Sequence, residues 1–147
     1  MRVLVDTSIL LRFVDEDDPV HPLLQTSVSR LLANGSQVGM TPQGQREFWN
    51  VATRPRELNG LGLNPEVARD LLVVLREVFE FWDDVPGIAD EWLKLVGSLG
   101  VKGVQVHDAN HAAAAIIHGA THVLTLDRRD FARYQPYGLT PLLPSQV

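Results

Sequence analysis

Four acidic residues of the chain stand where carboxylates can do chemistry. Asp6 and Asp127 each follow a short apolar run with the character of a β-strand. Asp108 opens an apolar helical segment, and Glu47 lies within another one. In open parallel sheets, ligands bind beyond the carboxyl ends of the strands, so acids that end strands weigh more than acids inside them. These four positions are therefore the first candidates for a functional site.

Each of these acids also has a simpler explanation. The three aspartates could cap helices or turns, and Glu47 could be an exposed ion-pair partner of Arg46 or Arg54. Taken together, however, converging carboxylates are the ligands that hard cations such as Mg²⁺ prefer. Two unit charges about 5 Å apart repel by roughly 3 kcal/mol, so the six pairs among four carboxylates would rival the roughly 5–15 kcal/mol stability of a domain. Four clustered acids therefore imply bound cations, or protons taken up instead.

The elements that must position these acids alternate between strands and helices. Short β-branched runs predict strands over 2–5, 36–40, 79–85, 121–126 and 139–143. Apolar residues at helical spacing, with start signals at Thr41-Pro42 and Asn64-Pro65 and a stop at Gly119, predict helices over 9–14, 21–33, 42–53, 65–78, 87–99 and 106–118. This order predicts a three-layer α/β/α sandwich around a central, mostly parallel sheet of about four to five strands.

Length and composition fit one globular domain covering residues 1–147, of which 45% are hydrophobic. The absence of cysteine excludes thiolate catalysis, cysteine zinc sites and disulfide scaffolds, and predicts a reducing, cytoplasmic location. A charge follows the first three apolar residues after Arg2, which argues against a signal peptide. The longest later apolar stretch, 112–117, is too short to span a bilayer. We therefore expect neither secretion nor membrane insertion.

Four segments, in order and spacing, resemble the PIN-domain nucleases over nearly the whole chain. They are Val-Leu-Val-Asp-Thr-Ser-Ile-Leu at 3–10, Glu-Phe-Trp-Asn-Val-Ala-Thr-Arg-Pro at 47–55, His-Asp-Ala at 107–109 and Leu-Thr-Leu-Asp-Arg-Arg-Asp-Phe at 124–131. In that family four acids line one metal site, and they match Asp6, Glu47, Asp108 and Asp127. Small single-domain members are mostly toxins of VapBC-type toxin–antitoxin pairs. The resemblance implies hydrolysis of RNA phosphodiester bonds with Mg²⁺ or Mn²⁺, a cognate antitoxin protein and a homodimer. A non-toxin RNA-processing nuclease and a catalytically silent PIN-like binding module are the alternatives.

The resemblance assigns roles to these residues. Asp6, Asp108 and Asp127 would hold one or two cations, and Glu47 would act through a metal-bound water or complete a second site. Four neighbouring polar side chains would orient the carboxylates or water: Thr7, Ser8, Asn50 and Thr125. Helix capping explains Thr7 and Ser8 equally well.

Arginines close in sequence to these acids are candidates for RNA contact, because a guanidinium can hold phosphate bidentately. The alternative for each is a solvated surface charge. The candidates are Arg12, Arg54, Arg128 and Arg129. Some of the aromatic residues near the site are expected to be core or dimer contacts, and stacking on RNA bases is the alternative: Trp49, Phe131 and Tyr134.

The net charge of −5 argues, at first sight, against a polyanionic substrate. However, residues 64–92 carry eight acids against two arginines, and the rest of the chain has 11 basic and 10 acidic residues. Without the four candidate ligands this remainder is basic. The sequence therefore predicts a polarised surface, acidic on helices far from the site and basic around a metal-filled pocket.

Two other clusters suggest different chemistry. His107 and His111 have the spacing of a shared zinc ligand pair, but no third ligand motif follows them. His107-Asp108 also resembles the dyad of HD-domain phosphohydrolases, which are all-helical, whereas the predicted strand 121–126 argues against that fold. For both histidines we expect solvent or capping roles. The acidic run 15–18 precedes Pro19 and predicts a solvated turn.

Overall fold

The computed structural model describes all residues, 1–147, as five strands and seven helices. The strands are β1 Arg2–Val5, β2 Gln37–Met40, β3 Glu80–Phe81, β4 His122–Leu124 and β5 Thr140–Leu142. The helices are α1 Thr7–Val14, α2 His21–Ala33, α3 Pro42–Thr53, α4 Pro65–Val78, α5 Ile88–Leu99, α6 Gln105–Ile117 and α7 Arg128–Ala132. None of these helices has the length and apolar character needed to cross a membrane.

The strands form one sheet in the order β3-β2-β1-β4-β5, and every neighbouring pair is parallel. The central strand β1 places Val3 beside Val38 on one side and beside His122 on the other. The chain builds the sheet outward from β1 to β3 and then crosses to β4. The carboxyl ends of β1 and β4 therefore flank the point where the strand order reverses, which is where parallel sheets bind ligands. The predicted α/β/α architecture is confirmed, with a sheet that is parallel throughout.

Alternation along β1 separates two hydrophobic cores, one on each face of the sheet. Val3 and Val5 pack with apolar residues of α1 to α4, whereas Leu4 packs with residues of α5 and α6. Successive side chains of a strand point to opposite faces, so a continuous apolar run is what a strand buried on both faces requires. The two predicted core aromatics of α7 and its end, Phe131 and Tyr134, lie in the second core.

Local sequence signals fix the ends of several helices as predicted. The Thr41 hydroxyl accepts a hydrogen bond from the Gly44 N–H at 3.2 Å, and Asn64 Oδ1 accepts one from the Val67 N–H at 2.9 Å. Each cap is followed by proline at the first helical position, where its missing N–H costs nothing. Gly119 follows α6 with a φ of +73°, a left-handed conformation that glycine adopts without strain.

Two predictions about the elements are wrong. The sequence prediction ran from β4 directly into β5, whereas the structure places α7 between them. The predicted strands 79–85 and 121–126 shorten to two and three residues, because β3 pairs only with the end of β2, at Gly39 and Met40, and β4 pairs only along β1 and β5. Asp127 therefore stands three residues beyond its strand, at the start of α7.

Candidate functional site

Asp6 lies directly after β1, at the carboxyl edge of the sheet. Its Oδ2 accepts hydrogen bonds from Ser8 Oγ at 2.7 Å and from Thr125 Oγ1 at 3.0 Å. Thr125 is fully buried and follows β4, so this bond joins the ends of the two central strands. Although Asp6 holds the N-cap position of α1, its side chain bonds no backbone N–H of that helix. The capping explanation is wrong for Asp6, and its second oxygen remains available to a ligand.

Glu47 lies on α3 and is held by side chains from three helices. Its Oε2 accepts hydrogen bonds from Thr7 Oγ1 at 2.6 Å and from His111 Nε2 at 3.0 Å, and its Oε1 accepts one from Gln43 Nε2 at 2.6 Å. The alternative that Glu47 pairs with a nearby arginine is wrong, because Arg46 instead approaches Asp84 at 4.0 Å.

This network shifts the pKa of both charged partners. Burial alone would raise the pKa of Glu47, but the hydrogen bond and charge of His111, helped by Thr7 and Gln43, lower it to about 2. Burial likewise disfavours the charged form of His111, yet the hydrogen bond and charge of Glu47 outweigh it and raise its pKa above the ordinary value. Glu47 is therefore a carboxylate at any physiological pH.

Asp108 occupies the fourth position of α6, and its side chain makes no hydrogen bond within the protein. The N-cap of this helix is Val104, so the capping explanation is wrong for Asp108 as well. Burial, followed by the charges of Asp130 and Asp6, raises the pKa of Asp108 to about 6. Acids separated by as many as 124 residues in the chain are thus close enough to perturb one another.

Asp127 caps a helix, as the simpler explanation predicted. Its Oδ1 accepts a hydrogen bond from the Arg129 N–H at 2.9 Å and caps α7. Asp130, one turn later, has a pKa raised by burial and by the charges of Asp127 and Asp6. Sequence reasoning did not select Asp130, although its spacing of three residues from Asp127 would have placed the two on one side of a short helix.

The acids share one edge of the sheet without converging on a single point. No three His, Asp or Glu side chains are close enough together to hold one metal ion as they stand. Glu47 is turned to His111, and Asp127 is turned to its helix cap. The donor set nevertheless suits a hard cation, because Asp108 has both oxygens free and Asp6 has one. The assignment of a metal to these acids stays a prediction.

Three of the four predicted supporting residues donate hydrogen bonds to the acids, and the fourth does not. Thr7 donates to Glu47, and both Ser8 and Thr125 donate to Asp6, as expected of groups that orient carboxylates. Asn50, in contrast, is exposed and makes no hydrogen bond to Glu47; it lines a cleft of about 560 Å³ beside that carboxylate, and the other lining residues include Gln43, Arg46 and His107.

Two of the four arginines predicted to contact RNA are bonded to the protein, and the other two are exposed without an ion pair. Arg12 donates to the Ser8 carbonyl and pairs with Asp18 at 3.4 Å, and Arg54 donates to the Asn59 carbonyl, so both are tied to the protein. Their predicted RNA contacts have no support in this geometry. The other two, Arg128 and Arg129, are exposed on α7 beside Asp127 and form no ion pair.

His111 was expected to have a solvent or capping role, and that expectation is wrong. It is 1% exposed and bonded to Glu47, so its Nε2 is not available for the zinc alternative. Its position three residues after Asp108 puts it on the same face of α6, which is the one signal that could have identified it. Gln43, four residues before Glu47, carries the same kind of signal.

Comparisons with known proteins agree with this fold. Three solved structures share it at low identity: the DNA-bound VapBC of Salmonella typhimurium (17% identity, TM-score 0.73, 98% of each chain), VapBC-1 of nontypeable Haemophilus influenzae (16%, 0.72, 99% of each), and the sarcin-ricin loop cleaving toxin VapC20 of Mycobacterium tuberculosis (17%, 0.64, 88% of this chain and 93% of that one). A search among curated proteins gave no match. The model of the PIN domain family matches residues 3–135. With nine-tenths of its length covered by that match, the chain belongs to the PIN domain family.

Proposed function

We propose that this chain is a metal-dependent ribonuclease that hydrolyses RNA phosphodiester bonds, and that it is the toxin of a VapBC-type toxin–antitoxin pair. One observation carries the proposal: Asp6, Asp108 and Asp130 are gathered at the switch point of the sheet, where burial and then the charges of Asp130 and Asp6 raise the pKa of Asp108 to about 6. A domain gains no stability from such mutual repulsion, so a cationic ligand is the simplest reason for it.

The roles assigned here are those that the resemblance implies, and the hydrogen bonds of Asp6 and Glu47 support part of them. Asp6, Asp108 and Asp127 are the side chains assigned to hold Mg²⁺ or Mn²⁺, which when bound lowers the pKa of water and neutralises charge on the phosphate. Ser8 and Thr125 fix the rotamer of Asp6. Glu47, ionised and with part of its side chain exposed to the adjoining cleft, is assigned to orient a water there. Arg128 and Arg129 are assigned to the RNA backbone.

The toxin role is supported by the family and by the solved structures of the same fold, one of which is a sarcin-ricin loop cleaving toxin. We assign to this chain a cognate antitoxin as partner, a homodimer as assembly and the cytoplasm as location. Exposed valines on α4 supply an apolar surface that suits a protein partner: Val67, Val73 and Val74.

The test is RNA cleavage by the purified chain. We expect cleavage with Mg²⁺ or Mn²⁺, none in EDTA, and none for Asp6→Asn or Asp108→Asn, whereas Asp70→Asn, on the exposed surface of α4, is the matched control. Equal activity in the two site variants would contradict the assignment. Growth arrest on expression, relieved by the product of an adjacent small gene, tests the toxin role; cleavage without arrest favours an RNA-processing nuclease.

A second candidate is a catalytically silent RNA-binding or protein-binding module. It is favoured by the finding that no three acidic or histidine side chains reach a common ion. RNA retention in a gel shift with Mg²⁺, without any cleavage product, would support this alternative over the nuclease.

A further inference from the structure

Glu47 has less freedom than the other acids of the site. Thr7 Oγ1 and His111 Nε2 donate to its Oε2, and Gln43 Nε2 donates to its Oε1. An ionised carboxylate has about four acceptor positions, of which three are thus taken. The side chain is 31% exposed and lines the cleft that also contains Arg46 and Asn50. One acceptor position on Oε1 is left for a group in that cleft.

His111 is the member of this network that has no other use in the fold. It is 1% exposed, and its Nδ1 is buried without a partner. Because a carboxylate only accepts hydrogen bonds, Nε2 must carry the hydrogen that Glu47 receives. A buried imidazole placed only to fill space would be replaced without loss by an apolar side chain. Nε2 lies 3.0 Å from Glu47 Oε2 and 3.4 Å from Thr7 Oγ1, so the hydrogen bond to Glu47 is the shorter of its two contacts and the reason for a histidine at this position.

We propose that His111 is a positioning residue that holds the Glu47 carboxylate in one orientation, with its free acceptor position directed into the cleft that Arg46 and Asn50 also line. The proposal rests on the proposed nuclease function for its kinetic consequence, and on the geometry alone for the hydrogen bond. Rotation of Glu47 would leave the buried His111 N–H with only the long 3.4 Å contact to the Thr7 hydroxyl, which is why the orientation is kept.

The connection between α3 and α6 extends beyond this one pair. Gln43 Nε2 also donates to the His107 carbonyl at 3.0 Å, and Asn110 Nδ2 donates to Gln43 Oε1. Residues on either side of Asp108 in α6 are therefore hydrogen-bonded to Gln43, which lies one turn before Glu47 in α3. Positioning by His111 keeps the carboxylates of Glu47 and Asp108 at a fixed distance and orientation, as residues that hydrogen-bond to metal ligands do in many metal sites.

The kinetic test compares three histidine variants. His111→Leu removes the donor and keeps an apolar side chain, so we expect kcat to fall about 10- to 100-fold with little change in KM. His111→Gln places an N–H near the position of Nε2 and should recover most of kcat. His118→Leu is the matched control, because His118 is half-buried at the C-terminal end of the same helix and its Nε2 contacts the Asp83 carbonyl rather than an acid of the site; this variant should retain full activity. If His111→Leu does not fold, as judged by circular dichroism, His111→Met takes its place. Full activity in the donor-free variant would overturn the proposal.

A second readout does not depend on activity. In the metal-free ¹⁵N-labelled protein, the Nε2–H of His111 should give a proton resonance protected from exchange, and Glu47→Ala should shift or abolish it. The same resonance unchanged in Glu47→Ala would overturn the proposal. If the wild-type protein cleaves no RNA, the proposed function fails, and this resonance then decides the positioning proposal by itself.

Discussion

Replacing Asp108 by asparagine should stabilise the metal-free protein, although it removes a candidate ligand. The pKa of Asp108 is raised from 3.8 to about 6, first by burial and then by Asp130 and Asp6. The folded state therefore binds this proton more tightly than the unfolded state does. The contribution of Asp108 to the free energy of unfolding is fully present below pH 3.8 and is lost as the pH rises to about 6. Above pH 6 the loss stays constant.

The magnitude follows from the difference between the two pKa values. At about 1.4 kcal/mol per pH unit, a rise from 3.8 to about 6 corresponds to roughly 3 kcal/mol above neutral pH. Because Asp108 is only half-buried, solvent screens the repulsion, so we expect a net gain of about 1–2 kcal/mol for Asp108→Asn. For a chain of 147 residues this raises Tm by about 2–8 °C.

The assay is thermal unfolding in EDTA at several pH values. At pH 7.5 the Tm of Asp108→Asn should exceed that of the wild type, and at pH 3.5 the two should coincide because the wild-type carboxyl is then protonated. Asp70→Asn is the control, because that acid is 75% exposed and should change Tm little at either pH. An Asp108→Asn variant no more stable than the wild type at pH 7.5 would refute the reasoning.

Four further changes test other parts of the structure. Gly97→Ala should raise the free energy of unfolding by about 0.5–1 kcal/mol in urea titrations, because Gly97 lies within α5 and the space for a Cβ is open. Gly39→Ala should lower the urea midpoint, since its Cβ would overlap the Trp82 ring; an unchanged midpoint would show that the ring can move. Asn64→Ala should cost about 1 kcal/mol of unfolding free energy by removing the α4 cap, and no cost would mean that water replaces it. The pKa of Glu47 is lowered from 4.5 to about 2 in the folded protein, so its contribution to stability is present above pH 4.5 and is lost as the pH falls from 4.5 to about 2. Glu47→Gln should therefore show a smaller fall in Tm over that pH range than the wild type. An equal fall in both proteins would contradict the pairing of Glu47 with His111.

Much of the fold was predictable because its signals are local. Caps at Thr41 and Asn64, prolines after them, and the glycine at 119 determine helix ends through bonds within a few residues. The predicted order of strands and helices also limited the fold to a parallel sheet with helices on both faces. The short helix α7 was missed because five residues give too few turns for a hydrophobic period to show.

The simple capping explanation was wrong for Asp6 and Asp108 and right for Asp127. A single sequence cannot separate these outcomes, because an aspartate near the start of a helical segment has the same local pattern in each case. Whether its oxygens meet a backbone N–H depends on the angle at which the next helix leaves the sheet. That angle is set by packing against the whole layer.

The sequence was sufficient to identify the residue types of the site, the presence of strands before Asp6 and Asp127, and the family resemblance that connected distant segments. Tertiary packing determines which acids perturb one another and why Glu47 faces His111 rather than the aspartates. Local hydrogen bonds and periodicity are short-ranged, so they can be read along the chain. The Glu47–His111 contact joins residues 64 positions apart, and its existence depends on how closely α3 and α6 pack at the edge of the sheet.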